Sequence, residues 1–116
     1  MAKLSPITTD DEWFQGETKL LRFGIETEDE DGTREVINGW SVRWQLMQNK
    51  KSQDTILEKA TGGSGIVITN GANGELEVTI APSDTTDIEP RTYWHELWRT
   101  DTNFETVLSY GPAALL

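Results

Sequence analysis

The chain holds a single histidine, His95, and no cysteine. Thiol nucleophiles, disulfides and cysteine-based metal sites are therefore excluded. A Ser-His-Asp arrangement would have to use His95, and no nucleophile-elbow motif supplies a serine for it. His95 reads instead as a packed or strand-exposed stand-in for an aromatic. Twenty Asp and Glu side chains could supply a glycosidase-type carboxylate pair, but in so acidic a chain such pairs arise by chance. A hydrolase is the weakest of the readings, and the chain is expected not to be an enzyme. One acidic run invites a metal test. Asp29, Asp31 and Gly32 fall on the third, fifth and sixth positions of a calcium loop. The first and twelfth positions are then Thr27 and Asn38, where that loop needs acidic ligands. The run reads as a solvated hairpin tip, with Ca²⁺ at Asp29 and Asp31 as the lesser alternative, and no cofactor is implied.

The chemistry that remains is recognition by aromatic side chains. Arg91 to Thr100 holds three of the ten aromatics, Tyr93, Trp94 and Trp98, beside His95. Its alternation is that of a strand, whose successive side chains point to opposite faces. One face carries Tyr93, His95 and Leu97; the other carries Trp94, Glu96 and Trp98. Both are bulky, so one can fill a core while the other needs a partner. With Tyr93 and Leu97 inward, Trp94 and Trp98 form an outward apolar strip suited to a protein interface or to stacking sugar rings. With the register slipped by one residue, the tryptophans turn inward and His95 and Arg99 face out.

The elements that must position this stretch are short strands. Thr18 to Thr27 alternates with Leu21, Phe23 and Ile25 on one face, and Asp31-Gly32 turns it toward a return strand at Arg34 to Ile37. Asn38-Gly39 makes the next turn. Trp40 to Met47 follows, the cleanest alternation in the chain, with Val42, Trp44 and Leu46 as core. Thr55 to Ala60 and Ile66 to Ile68 are brief strands. Asn70-Gly71-Ala72-Asn73-Gly74 carries two Asn-Gly pairs, a strong hairpin signal, and Glu75 to Ile80 returns with Leu76, Val78 and Ile80 inward. Pro82 opens a helical turn near residues 82–88. Phe104 to Tyr110 is the last strand. No 3.6-residue apolar period persists. The fold expected is all-β, an antiparallel sandwich of about seven to eight strands.

At 116 residues the chain fits one domain over 1–116, with 1–12 as a lead-in arm and 111–116 as an apolar tail. A net charge of −10 opposes nucleic acid, which needs a basic footprint, and it opposes an anionic membrane surface. Met1 to Pro6 lacks the apolar core of a signal peptide, and no apolar run nears the length of a membrane helix. Trp13 and Phe14 are adjacent, so a strand would send them to opposite faces, one covering the core and the other free for contact. With Leu115 and Leu116 at the far end, they join Trp94 and Trp98 as candidate interface residues.

Taken in order, Gln15-Gly16-Glu17-Thr18, the Asp31-Gly32 turn, Ile37-Asn38-Gly39-Trp40-Ser41-Val42, Glu75-Leu76-Glu77-Val78-Thr79-Ile80, the Pro/Thr turn, Arg91-Thr92-Tyr93-Trp94-His95-Glu96-Leu97 and the close at Tyr110-Gly111 form a succession. It resembles the Ig-like β-sandwich domain of tailed-bacteriophage virion proteins, such as the N-terminal domain of baseplate upper proteins, over residues 13 to 111. The chain departs from that pattern at Arg91, usually glycine, and at His95, usually an aromatic. The resemblance implies a structural or accessory virion protein that catalyses nothing. Its expected partners are other phage virion proteins, as a homo-oligomer on a symmetric assembly, with the virion as its location. The alternative from another class is a carbohydrate-binding β-sandwich module.

Overall fold

The computed structural model describes residues 13–25, 33–51, 54–63 and 65–116. The lead-in 1–12, and Asp29 and Asp31 with the calcium alternative, lie outside them. Among the described residues seven strands form two antiparallel sheets. One is three-stranded, ordered β1 (Lys19–Gly24), β5 (Glu75–Ile80), β4 (Ile66–Asn70). The other is four-stranded, ordered β3 (Thr55–Ala60), β2 (Val42–Met47), β6 (Thr92–Arg99), β7 (Thr106–Ala114). A single helical turn, α1 (Pro82–Thr85), links the sheets. The alternating apolar rows meet between them: Leu21, Phe23, Ile25, Leu76, Val78 and Ile80 from one side, Val42, Trp44, Leu46, Tyr93 and Leu97 from the other, all buried.

Set beside the immunoglobulin sandwich, the strand order matches its B-E-D and C′-C-F-G sheets, with β2 in the place of C and β6 in the place of F. Two local features agree. Trp44 on β2 is fully buried. Tyr93 opens β6 and its hydroxyl donates to the Glu89 carbonyl four residues upstream, the tyrosine-corner geometry. Burial pushes the Tyr93 phenol above its ordinary value, against a smaller opposing pull from Arg91, so the hydroxyl keeps the proton it donates. The protein is an all-β sandwich, and that alone fixes no function.

Several local expectations are corrected by long-range contacts. The first strand is shorter than Thr18 to Thr27. Of the return strand expected at Arg34 to Ile37 only a single β-bridge at Arg34 forms, and Glu35 to Ile37 belong to neither sheet. Glu35 N instead donates to Ile25 O and Ile37 N to Gly71 O, while Ile25 N donates to Gly74 O. The β4–β5 turn, a 3₁₀ turn over Gly71–Asn73 closed by left-handed Gly74, thus anchors both the end of β1 and the segment after it. Residues 111–114, expected in a tail, belong to β7: Gly111, Pro112, Ala113 and Ala114 pair with His95, Trp94, Tyr93 and Thr92. Pro112 is tolerated because β7 is an edge strand. Leu115 N donates to Arg91 O and Leu116 N to Trp13 O, and Gln15 N donates to Leu116 O. The two ends of the described chain therefore close the sandwich together. Trp13 and Leu115, placed among contact residues on sequence grounds, are core residues at 0% and 2% exposure.

At the other end of β6, the Arg99 guanidinium lies over the Trp40 and Phe104 rings, 4.0 and 4.7 Å from their centroids. Its Nε donates to Asp101 Oδ2 at 2.9 Å, which also accepts from Ser41 N at 3.0 Å. The Arg99 hydrogen bond, followed by that from Ser41, holds the Asp101 carboxyl below the ordinary aspartate value. A carboxyl depressed in the folded state stabilises above its unfolded value, about 3.9, and the contribution is lost as pH falls through the lower folded value. Asp101→Asn is therefore expected to lower stability at neutral pH and to leave a shallower decline below about pH 4. Urea unfolding across pH 2–7 checks this, and parallel curves for the two proteins would contradict it.

Candidate interaction surface

Because Tyr93, His95 and Leu97 point inward, β6 turns Trp94, Glu96 and Trp98 to the outer face of the four-stranded sheet, each half-buried. The register lays three rows across this face. Met47, Trp94 and Pro112 form one, Gln45, Glu96 and Tyr110 the middle one, and Arg43, Trp98 and Val107 the last. Glu96 is the hub. Its Oε2 accepts from Trp94 Nε1 at 3.1 Å, and its Oε1 accepts from Trp98 Nε1 at 2.8 Å and from Gln45 Nε2 at 3.2 Å. One carboxylate so fixes both indoles and satisfies their only polar atoms, leaving ring surface for contact. Trp94 and Tyr110 meet at 5.6 Å between centroids with planes tilted by 41°. This lies in the range where aromatic pairs attract beyond their buried area.

The side chains enclose an open groove of about 430 Å³ lined by Lys50, Lys51, Trp94, Glu96, Trp98, Val107 and Tyr110. A smaller polar hollow of about 230 Å³ lies between Gln48, Ile56, Asp87, Ile88, Glu89, Arg91 and Tyr93. There Arg91 Nη1 donates to Gln48 Oε1 at 3.0 Å, with the guanidinium over the Tyr93 ring. The outer face of the three-stranded sheet is of a different kind. Arg22 pairs with Glu77 at 3.0 Å, and Leu20 and Val67 stand as single exposed apolar groups.

No family model matches the chain, and no curated protein matches it either.

Of the residues singled out from sequence, the structure brings Trp94 and Trp98 together in one groove. Phe14 and Leu116, 43% and 36% exposed, lie together at the junction of the chain ends, away from any described groove. His95 is fully buried and its Nδ1 accepts from Trp44 Nε1 at 3.0 Å. An indole can only donate, so Nδ1 is the unprotonated nitrogen. A histidine whose Nδ1 is spent on a core tryptophan is a packing group, not a base facing solvent. Tyr110, Val107, Lys50 and Lys51 escaped the sequence reading, and Glu96, placed on the outward face, was given no role there. Glu96 carried a usable signal, as an acid two residues from each tryptophan on the same strand face. The other four reach the groove only through the β6–β7 register and the loop after β2.

Proposed function

We propose that the protein is a non-catalytic structural or accessory subunit of a bacteriophage particle. It joins other virion proteins through the outer face of its four-stranded sheet, as a homo-oligomer on a symmetric assembly. One observation carries the docking part: a half-buried aromatic groove whose indole N–H groups are already bonded within the molecule, on the face the core does not use. Burying the two indoles leaves neither indole donor unsatisfied, and tryptophan and tyrosine dominate the centres of protein interfaces. The phage setting rests on the order of sequence motifs, supported by an Ig-like strand order that agrees with it. The net charge of −10 supports a protein rather than a nucleic-acid partner.

Light scattering should find an oligomer, and the protein should sediment with assembled particles of the same virus. Trp94→Ala should weaken that association by about 2 kcal/mol or more, near thirtyfold. A strict monomer that ignores particles would overturn the reading. The open ring faces of Trp94, Trp98 and Tyr110 also suit a second reading, stacking of sugar rings. A saturable tryptophan-fluorescence shift with a neutral polysaccharide, abolished by Trp94→Ala, would favour it.

A further inference from the structure

The groove is not lined by aromatics alone. Lys50 and Lys51, from the loop after β2, stand on its rim. In a chain with twenty acidic and ten basic side chains, adjacent cations beside the main aromatic groove are conspicuous. Among the described residues the ion pairs engage Arg22, Lys59 and Arg99, and neither Lys50 nor Lys51 is in one. Glu96, the only carboxylate among the described residues that line the groove, has both oxygens accepting from Trp94, Trp98 and Gln45. Among the described residues no carboxylate pairs with these two exposed ammonium groups, so they stand open to an outside anion. The groove also runs beside β7, an edge strand paired only with β6 among the described residues, so its far backbone edge can receive an extended chain.

We propose that the groove takes an extended segment of a partner protein in which an apolar or aromatic side chain is flanked by carboxylates. The apolar group enters between Trp94, Trp98 and Tyr110, and the carboxylates meet Lys50 and Lys51. Charge complementarity selects this occupant. A neutral sugar would bring no counter-charge to the two ammonium groups, which a carboxylate-bearing segment supplies. The inference rests on the docking face proposed above and names the chemistry of what docks there.

The test uses the full chain, immobilised and panned with a random-peptide library, beside Lys50→Glu/Lys51→Glu and Trp94→Ala. Both lysines are exposed, so the charge-reversed chain should keep its circular dichroism and unfolding midpoint. The native chain should enrich peptides with an apolar or aromatic residue between Asp or Glu. Affinity of a synthesised winner, read by fluorescence polarisation, should fall with added salt and by about tenfold or more on charge reversal. Winners without acids, or equally bound by the charge-reversed chain but lost with Trp94→Ala, would overturn the charge assignment and leave the docking face standing. Winners indifferent to Trp94→Ala would overturn both. No enrichment over the bare support overturns the peptide occupant. Saturable binding of polygalacturonate in that case would reassign the groove to an anionic sugar, and concentration-dependent self-association lost on charge reversal would reassign it to a second copy of this chain.

Discussion

Gly74→Ala is expected to destabilise the protein by about 3–5 kcal/mol, a large fraction of the roughly 5–15 kcal/mol that holds a typical domain folded. Two causes act at once. Gly74 has φ of +66°, in the left-handed region where a β-carbon costs about 1–2 kcal/mol. That carbon would also stand 2.6 Å from Ile25 O and 2.7 Å from Glu35 O. Both are backbone atoms, so no rotamer change relieves the clash. Ile25 N donates to Gly74 O and Glu35 N to Ile25 O, so displacing Gly74 breaks the stitches that hold the end of β1. Gly39→Ala provides the control. Its φ is +78° but nothing lies within 4 Å of the added carbon, so only the conformational cost of about 1–2 kcal/mol applies. Urea unfolding midpoints of the two variants should differ widely, and equal midpoints would contradict the crowding at Gly74.

Trp44 is the second site of large effect. It is fully buried on β2, opposite Leu97 and Lys59, and its Nε1 donates to His95 Nδ1. Trp44→Ala empties the centre of the core and should cost about 3–5 kcal/mol. Trp44→Phe keeps much of the volume but deprives the buried His95 Nδ1 of its donor, for about 1–3 kcal/mol. The informative measurement is a cycle with His95→Phe. Once the donor is gone the imidazole has less to lose, so the double variant should be more stable than the sum of the singles implies, by about 0.5–3 kcal/mol. Strict additivity in chemical denaturation would show that the hydrogen bond contributes nothing separable from packing.

The same residues show where sequence reading succeeds. Leu21, Phe23, Ile25, Val42, Trp44, Leu46, Leu76, Val78 and Ile80 sit on alternate positions of segments whose other face is mostly polar, and all are buried. Alternation of that kind is local, so it can be read without the fold. Trp13 and Leu115 carry no such pattern. Their burial follows from pairing between the two ends of the described chain, about a hundred residues apart. At Arg34 to Ile37 the pairing goes no further than a bridge at Arg34 and the Glu35 N bond to Ile25 O, because Ile37 N donates to Gly71 O in the β4–β5 turn, a contact no local pattern shows. The groove was half legible: Trp94 and Trp98 by alternation, but Tyr110 and Val107 only through the β6–β7 register, which shifts between Leu97 and Trp98.

By itself the sequence determined an all-β chain of short alternating strands, the inward rows of most of them, and the absence of thiol chemistry. The face of β6 was left to the tertiary structure. Both of its faces are bulky, and a strand has only two, so a one-residue slip exchanges them. The opposing sheet settles the choice by covering Tyr93, His95 and Leu97, with Trp44 donating to His95 and Glu89 receiving the Tyr93 hydroxyl. The outward tryptophans then become a groove because Glu96, Tyr110 and the loop lysines arrive from positions that only strand pairing and loop closure bring together.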